Sequence, residues 1–253
     1  MAHPIIPWPG GKRRLLRHLL SEIPDHTCYA EVFAGGAALL LAKAPSAAEV
    51  LNDLDGELVR LYRCVQHHLD ELVRQFRWSL VSREMFRWTQ LQRPETLTDI
   101  QRAARFYYMQ RTAWGGKAAG RTFGISATSP PRLNLLRMEE DLSQAHIRLS
   151  RVTVEHLPWR QCIERYDRPG TLFFLDPPYW QTEGYGIEFG REQYDELAAT
   201  MRGLQGKAIL TINDHPAMRQ AFKGFRSERV GISYTLGGSD KAKRATELIY
   251  RTW

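Results

Sequence analysis

Thr171-Leu172-Phe173-Phe174-Leu175-Asp176-Pro177-Pro178-Tyr179 is the stretch whose reading decides the fold. Five β-prone, mostly apolar residues run without alternation into an acid, two prolines and an aromatic ring. Such a run reads as a strand buried on both faces of a mostly parallel sheet, and the prolines end it at its carboxyl edge. Ligands of open α/β sheets bind at that edge. The residues past the strand also have a chemistry. The Asp176 carboxylate can accept one hydrogen of an exocyclic amine, and the Pro177 carbonyl can accept the other, since proline has no N–H to offer. Tyr179 presents a flat face on which a heterocycle can stack. Two acceptors on one NH₂ pull its lone pair out of conjugation with the ring, which makes a poor nucleophile usable. At average residue usage this tetrapeptide arises by chance in on the order of one chain in a thousand, so a proline turn with a stray acid is the weaker reading.

The rest of the sheet reads outward from this strand. Cys28-Tyr29-Ala30-Glu31-Val32-Phe33-Ala34-Gly35-Gly36-Ala37, followed by the helical run Ala38 to Ala44, is strand, glycine turn and helix. That is the opening unit of a nucleotide-binding sheet, although a glycine turn also serves as a plain tight connection. A second strand, Ala48 to Leu51, ends at Asn52-Asp53-Leu54-Asp55. An acid about twenty residues after the glycine turn is where such folds hold ribose hydroxyls, which singles out Asp53. Asp55 reads as the cap of the next helix, with Glu57 in its first turn. Arg151–His156 is the third strand and Lys207–Asp214 the fifth. Arg229–Leu236 and Glu247–Arg251 form a final antiparallel pair, joined by a basic loop, Gly237–Arg244, suited to phosphate. Leu157 and Trp159 read equally as core or as pocket lining. The small-residue loop Trp180–Gly186 sits where it can close over a ligand. His215 reads as a turn residue, because no metal-ligand spacing surrounds it.

Between the second and third strands the pattern turns helical: Glu57–Gln66, Leu69–Leu80, Ser82–Gln90, Asp99–Thr112 and Arg137–Ser150, broken at Arg93-Pro94-Glu95-Thr96. A block this long is an insertion. From Gln101 to Met138 it contains Arg102, Arg105, Arg111, Lys117, Arg121, Arg132 and Arg137 without one Asp or Glu. Basic residues interleaved with aromatics suit phosphate contact and base stacking. Phe106, Tyr107 and Tyr108 read as core, whereas Trp114-Gly115-Gly116-Lys117-Ala118-Ala119-Gly120-Arg121 is too glycine-rich to pack as one. At the amino end, Ile5-Ile6-Pro7-Trp8-Pro9-Gly10-Gly11-Lys12 precedes an amphipathic run from Arg13 to Ile23. There glycines allow close backbone approach, Trp8 can cover a ring and Lys12 can meet a carboxylate.

Composition agrees with a full-sized globular core in 253 residues. A formal charge of +7 and a pI near 9.4 favour a polyanionic partner. Three widely spaced cysteines, Cys28, Cys64 and Cys162, make neither a disulfide framework nor a zinc site, as expected of a reducing cytoplasm. Neither a membrane-spanning run nor a signal-peptide pattern is legible.

At Asp176–Tyr179 the chain resembles the amino-methyltransferases of nucleic acids, whose signature is (Asp/Asn/Ser)-Pro-Pro-(Tyr/Phe). The Asp-Pro-Pro-Tyr form is similar to the DNA adenine N6 type. Trp8 and Lys12 match the Trp-x-Gly-Gly-Lys segment of Dam-like enzymes. Glu31, Phe33 and Gly35 match their Glu-x-Phe-x-Gly-x-Gly loop, with Ala37 standing where the last glycine often lies. Asp53 matches their Asn-Asp, and the Trp114 stretch resembles the segment that enters DNA, especially in phage and prophage members. The resemblance implies an α/β fold, a Rossmann-like class I S-adenosylmethionine methyltransferase sheet (residues 1–56 and 145–253) with a mostly helical target-recognition insertion (57–144). It implies site-specific transfer of a methyl group from S-adenosyl-L-methionine to a flipped-out adenine of double-stranded DNA. Asp176, Pro177, Pro178 and Tyr179 would be catalytic. Trp8, Lys12, Glu31, Phe33, Gly35, Asp53 and Asp176 would touch the cofactor, and Arg111, Trp114, Lys117 and Arg121 the DNA. Neither metal nor membrane is expected, and the expected form is a monomer acting on DNA in the cytoplasm of a bacterial or phage-infected cell. Two rival readings stand beside this one: another amine acceptor (RNA adenine or cytosine N4), or a silent DNA-binding relative.

Overall fold

The computed structural model describes residues 2–117, 120–125, 128–182, 189–234 and 243–253. Seven strands, β1 (Cys28–Glu31), β2 (Ala48–Asn52), β3 (Thr153–Glu155), β4 (Thr171–Leu175), β5 (Lys207–Asn213), β6 (Arg226–Tyr234) and β7 (Lys243–Arg251), form one sheet in the order β3-β2-β1-β4-β5-β7-β6. β1 to β5 run parallel, and β7 lies antiparallel between β5 and β6. This is the Rossmann-like α/β architecture that the sequence implies. β6 begins three residues before its expected start and β7 four, because main-chain pairing continues past the apolar pattern into Arg226–Glu228 and Lys243–Thr246; residues 235–236 of the expected strand lie outside the described residues.

β4 is the central strand and every residue of it is buried. Its side chains alternate between two cores. Leu172 and Phe174 join Tyr29, Leu51 and Ile209 on one face. Phe173 and Leu175 join Ala30, Val50, Leu210 and Ile212 on the other. Both faces are dry, which is why the strand needs no polar alternation. Each fully buried phenylalanine contributes about 1.5–3 kcal/mol.

The helices are α1 (Leu16–Ser21), α2 (Ala38–Ala42), α3 (Gly56–His67), α4 (Leu69–Arg74), α5 (Arg83–Leu91), α6 (Asp99–Thr112), α7 (Leu135–Leu149), α8 (Trp159–Tyr166), α9 (Arg191–Arg202) and α10 (Pro216–Ala221). Asp55 caps α3, accepting from the Glu57 and Leu58 N–H groups, as expected. Thr98 and Gln101 close a reciprocal box at the start of α6. α4 is shorter than its expected span. Past Arg74 the bonds tighten to three-residue spacing as Phe76 is drawn into the core. α8 and α10 were not expected. Trp159, Cys162, Ile163 and Tyr166 do carry helical spacing, and His215 with Pro216 makes a cap and a first-turn proline.

α3, α6 and α7 share one core with the sheet, through Leu58, Phe106 and Leu142. α7 is tied down by a buried ionic knot: Lys43 and Arg148 both reach Glu49 at the start of β2, and Arg148 also donates to the Leu40 carbonyl at 2.7 Å. Phe106, Tyr107 and Tyr108 are core, as expected. Among the described residues, no helix is long and apolar enough to cross a membrane.

Candidate active site

Five neighbouring strands bring their ends to one cavity of about 1260 Å³. β2 contributes Asn52 and Asp53, β1 the segment from Glu31 to Gly36, and β4 Asp176, Pro178 and Tyr179. β5 contributes Asn213, and antiparallel β7 contributes Thr246 and Glu247. The amino-terminal segment Pro4–Arg14 and the Trp114–Lys117 stretch complete the wall. The switch in crossover direction between β1 and β4 opens the crevice there.

The turn after β4 is held by its own neighbours. Tyr194 of α9 donates to the Pro178 carbonyl. The Tyr179 carbonyl accepts from the Thr182 N–H at 3.1 Å. Asn213 clamps Trp180 on both sides, accepting from its N–H at 3.0 Å and donating to its carbonyl at 3.1 Å. Among the described residues, the Pro177 carbonyl is the one main-chain carbonyl of Pro177–Trp180 with no partner, while Pro177 itself is buried and is not among the residues that line the cavity.

Lys12 is 3% exposed and donates to the Gly10 carbonyl at 2.6 Å. Its ammonium lies 2.6 Å from Asp176 Oδ1 and 4.6 Å from the centre of the Tyr179 ring. Thr211 donates to the same Asp176 oxygen at 2.9 Å. Burial pushes the Asp176 carboxyl up to about 6, against the opposing pull of Lys12. The apolar walls are the cause of the rise, and the group is still mostly ionised near neutrality.

The wall of the cavity around Trp8 rests on close packing. Gly35 has φ +47°, and a Cβ there would lie 2.6 Å from Trp8 Cδ1, so the bare backbone is what lets Trp8 lie against the turn. Ala37, where the resembling family often has glycine, takes a left-handed conformation at φ 50°. That is a conformation glycine adopts without strain. Asp53 accepts from the Gly35 and Asp55 N–H groups, both at 2.9 Å, and burial raises its carboxyl to about 6. It thus shapes the turn, and each oxygen keeps a second lone pair for a ligand hydroxyl. Glu31 borders the cavity but its Oε2 serves Tyr29 and the Leu40 N–H, and burial raises it to about 8, so it is protonated near neutrality. Phe33, Leu157 and Trp159 all line the cavity. Aromatic walls, the Asp53 carboxyl and the Asp176 carboxylate are groups that would suit an adenosyl sulfonium donor.

The basic residues divide. Trp114 and Lys117 stand at the rim, 44% exposed in the case of Trp114, with the ammonium 5.9 Å from the ring centre. Arg111 also borders the cavity, while its guanidinium straps the Ile5 and Arg132 carbonyls. Arg121 does not line it. Its Nε is turned to Gln110 at 3.1 Å and to the Lys117 carbonyl at 3.2 Å. Residues 118–119 of this stretch, 183–186 of the loop after Trp180, and 237–242 of the basic loop lie outside the described residues. His215 accepts from the Ala217 N–H as a helix cap. Among the described residues, His18, Glu22 and Glu228 are the one trio close enough for a shared ion, and Arg251 already meets both carboxylates at 2.9 Å. Reading the sequence missed Thr211, Asn213 and Tyr194. Thr211 and Asn213 stand on one face of β5, at and just before the polar end that marks the active edge, which was the available signal.

Residues 8–235 match a family model described as D12 class N6 adenine-specific DNA methyltransferase. The chain is 27% identical to a type II methyltransferase, M.CviBI, of Paramecium bursaria Chlorella virus NC1A, over 88% of this chain and 87% of the relative. It is 23% identical to the type II methyltransferase M1.LlaDCHI of Lactococcus lactis subsp. cremoris, over 97% and 94%. The retron Ec67 DNA adenine methylase of Escherichia coli is 22% identical, over 97% and 90%.

Proposed function

This chain belongs to the D12 class N6 adenine-specific DNA methyltransferase family, and on that premise we propose that it moves a methyl group from S-adenosyl-L-methionine to the N6 amine of an adenine flipped out of double-stranded DNA. It is an adenine-specific DNA methyltransferase; the donor, the flipped base and the residue roles are the proposal. In a duplex the amine is stacked and cannot align with a methyl donor, so the base has to leave the stack. The cavity of about 1260 Å³ exceeds what one drug-sized ligand needs and suits two substrates side by side. When bound, the cofactor supplies a methyl group activated by its sulfonium charge.

The observation that carries the reading is the acceptor pair at the end of β4. The Asp176 carboxylate and the Pro177 carbonyl accept one hydrogen bond each from the target amine, and the other carbonyls of that turn are occupied. Tyr179 stacks on the purine. Lys12 keeps the carboxylate ionised, and Trp8, Phe33, Gly35 and Asp53 shape the donor half. Glu31 supports that half from below by holding α2. Rate arises from alignment of two substrates and from fixed charge, without a strong base. Trp114, Lys117 and Arg111 meet the DNA at the rim, Arg121 bracing the stretch that presents them, with residues 57–144 carrying target recognition.

The test is Asp176→Ala, measured by labelled methyl transfer to duplex DNA and nucleoside analysis for N6-methyladenine. Transfer should fall far more than tenfold with the melting curve retained. A loss smaller than tenfold, about 1.4 kcal/mol of barrier, would sink the assignment.

A further inference from the structure

Oδ1 of Asp176 lies 2.6 Å from the Lys12 ammonium, as an ion pair, and accepts a hydrogen bond from Thr211 Oγ1 at 2.9 Å, so both groups meet the same oxygen. Among the described residues Oδ2 has no such partner, and the side chain is 20% exposed toward the cavity it lines. Lys12 alone cannot set the plane of the carboxylate, because an ammonium is a point charge on a flexible stem. Thr211 can. It is wholly buried in β5, the strand next to β4, and a β-branched side chain there has little rotamer freedom.

We propose that Thr211 is a positioning residue for methyl transfer: its hydroxyl, opposite Lys12, locks the Asp176 carboxylate so that Oδ2 faces the target amine. This rests on the reading of Asp176 given above. Thr211 touches neither substrate; it acts through Asp176. The two donors on Oδ1 favour the ionised form, while burial and the neighbouring Glu247 on β7 favour the neutral one. Glu31 on β1 is the other acid that feels the Asp176 charge. Glu31 is already neutral in acid, so the balance of burial and Glu247 against Lys12 and Thr211 sets where activity fails there. Removing the hydroxyl should both loosen the carboxylate and raise its proton affinity.

The experiment compares wild type with Thr211→Val, Thr211→Ala and Thr211→Ser in methyl transfer to duplex DNA across pH. Thr211→Val should lower kcat about tenfold, as loss of a hydrogen bond to a charged group does. It should also move the acid limb of the kcat profile to higher pH, with the KM for S-adenosyl-L-methionine and the affinity for DNA unchanged. Thr211→Ser should restore both rate and limb. Should Thr211→Val fail to fold, Thr211→Ala against Thr211→Ser decides, since both lose the methyl group and they differ in the hydroxyl alone. Unchanged kcat and limb, or a lower kcat with an unmoved limb, would overturn the proposal. So would a Thr211→Ser enzyme as slow as Thr211→Ala. Asp176→Ala is the control: transfer retained there overturns the reading of the site, whereas an inactive Asp176→Ala beside an indifferent Thr211→Val overturns only the role of Thr211.

Discussion

Replacing Glu31 by glutamine tests whether the floor of the cavity is as dry as its packing implies. Glu31 is 1% exposed, and burial lifts its carboxyl from an ordinary 4.5 to about 8. The Tyr29 and Leu40 hydrogen bonds pull the other way, and the Asp176 charge adds to the rise. In the unfolded chain the proton leaves as pH passes 4.5, whereas the folded protein keeps it to about 8. Stability from this group is therefore complete below 4.5 and is lost as pH rises through about 8. From pH ~6 to pH ~8 the unfolded side chain is already ionised and the folded one only starts to be, so the loss is about 2 kcal/mol at ~1.36 kcal/mol per unit. The Glu31→Gln protein carries no titrating proton, and its amide oxygen still accepts from Tyr29 and Leu40. Urea unfolding of both proteins at the two pH values measures the gap between them. The gap should widen by about 2 kcal/mol in favour of Glu31→Gln as pH rises. Histidines and the raised carboxyls of Asp53 and Asp176 are common to both proteins and cancel. A gap constant to within about 0.5 kcal/mol would refute the burial argument.

Gly35→Ala forces a Cβ to 2.6 Å from Trp8 Cδ1 at φ +47°, so Trp8 must leave the cavity wall. Binding of S-adenosyl-L-methionine by calorimetry should weaken more than tenfold, and stability should drop by about 1–2 kcal/mol from the left-handed backbone alone. Unchanged binding would remove Trp8 and Gly35 from the donor site. Trp114→Ala should impair base flipping more than DNA binding, since an exposed rim aromatic beside glycines suits filling the gap a flipped base leaves. A 2-aminopurine at the target position brightening as fully as with wild type would return Trp114 to a packing role.

Much of the fold was legible because its determinants are local. The unalternated run Leu172–Leu175 requires burial on both faces, and two prolines beyond it require an end. The same logic exposed the turn at Gly35 and the cap at Asp55. Helix α8 was missed although its spacing was present, since Trp159, its first residue, reads equally as core or as pocket lining. What periodicity cannot carry is the partner of a polar side chain. Lys12 and Asp176 stand far apart in the chain and meet at 2.6 Å only because the amino-terminal segment crosses the end of β4. Asp53 was legible as an acid at the right place, but its two backbone hydrogen bonds were not. Arg121 and Arg111 were legible as cations, yet their guanidinium contacts with Gln110 and with the Ile5 and Arg132 carbonyls follow from packing. Likewise, the sequence offered Asp176 and Pro177 as an acceptor pair, while only the neighbours in space, Thr211, Tyr194 and Asn213, decided which oxygen and which carbonyl remain open. Hydrophobic pattern and turn chemistry act within a few residues; charge pairing, desolvation and hydrogen-bond occupancy depend on strands and helices that are distant in sequence and adjacent only after folding.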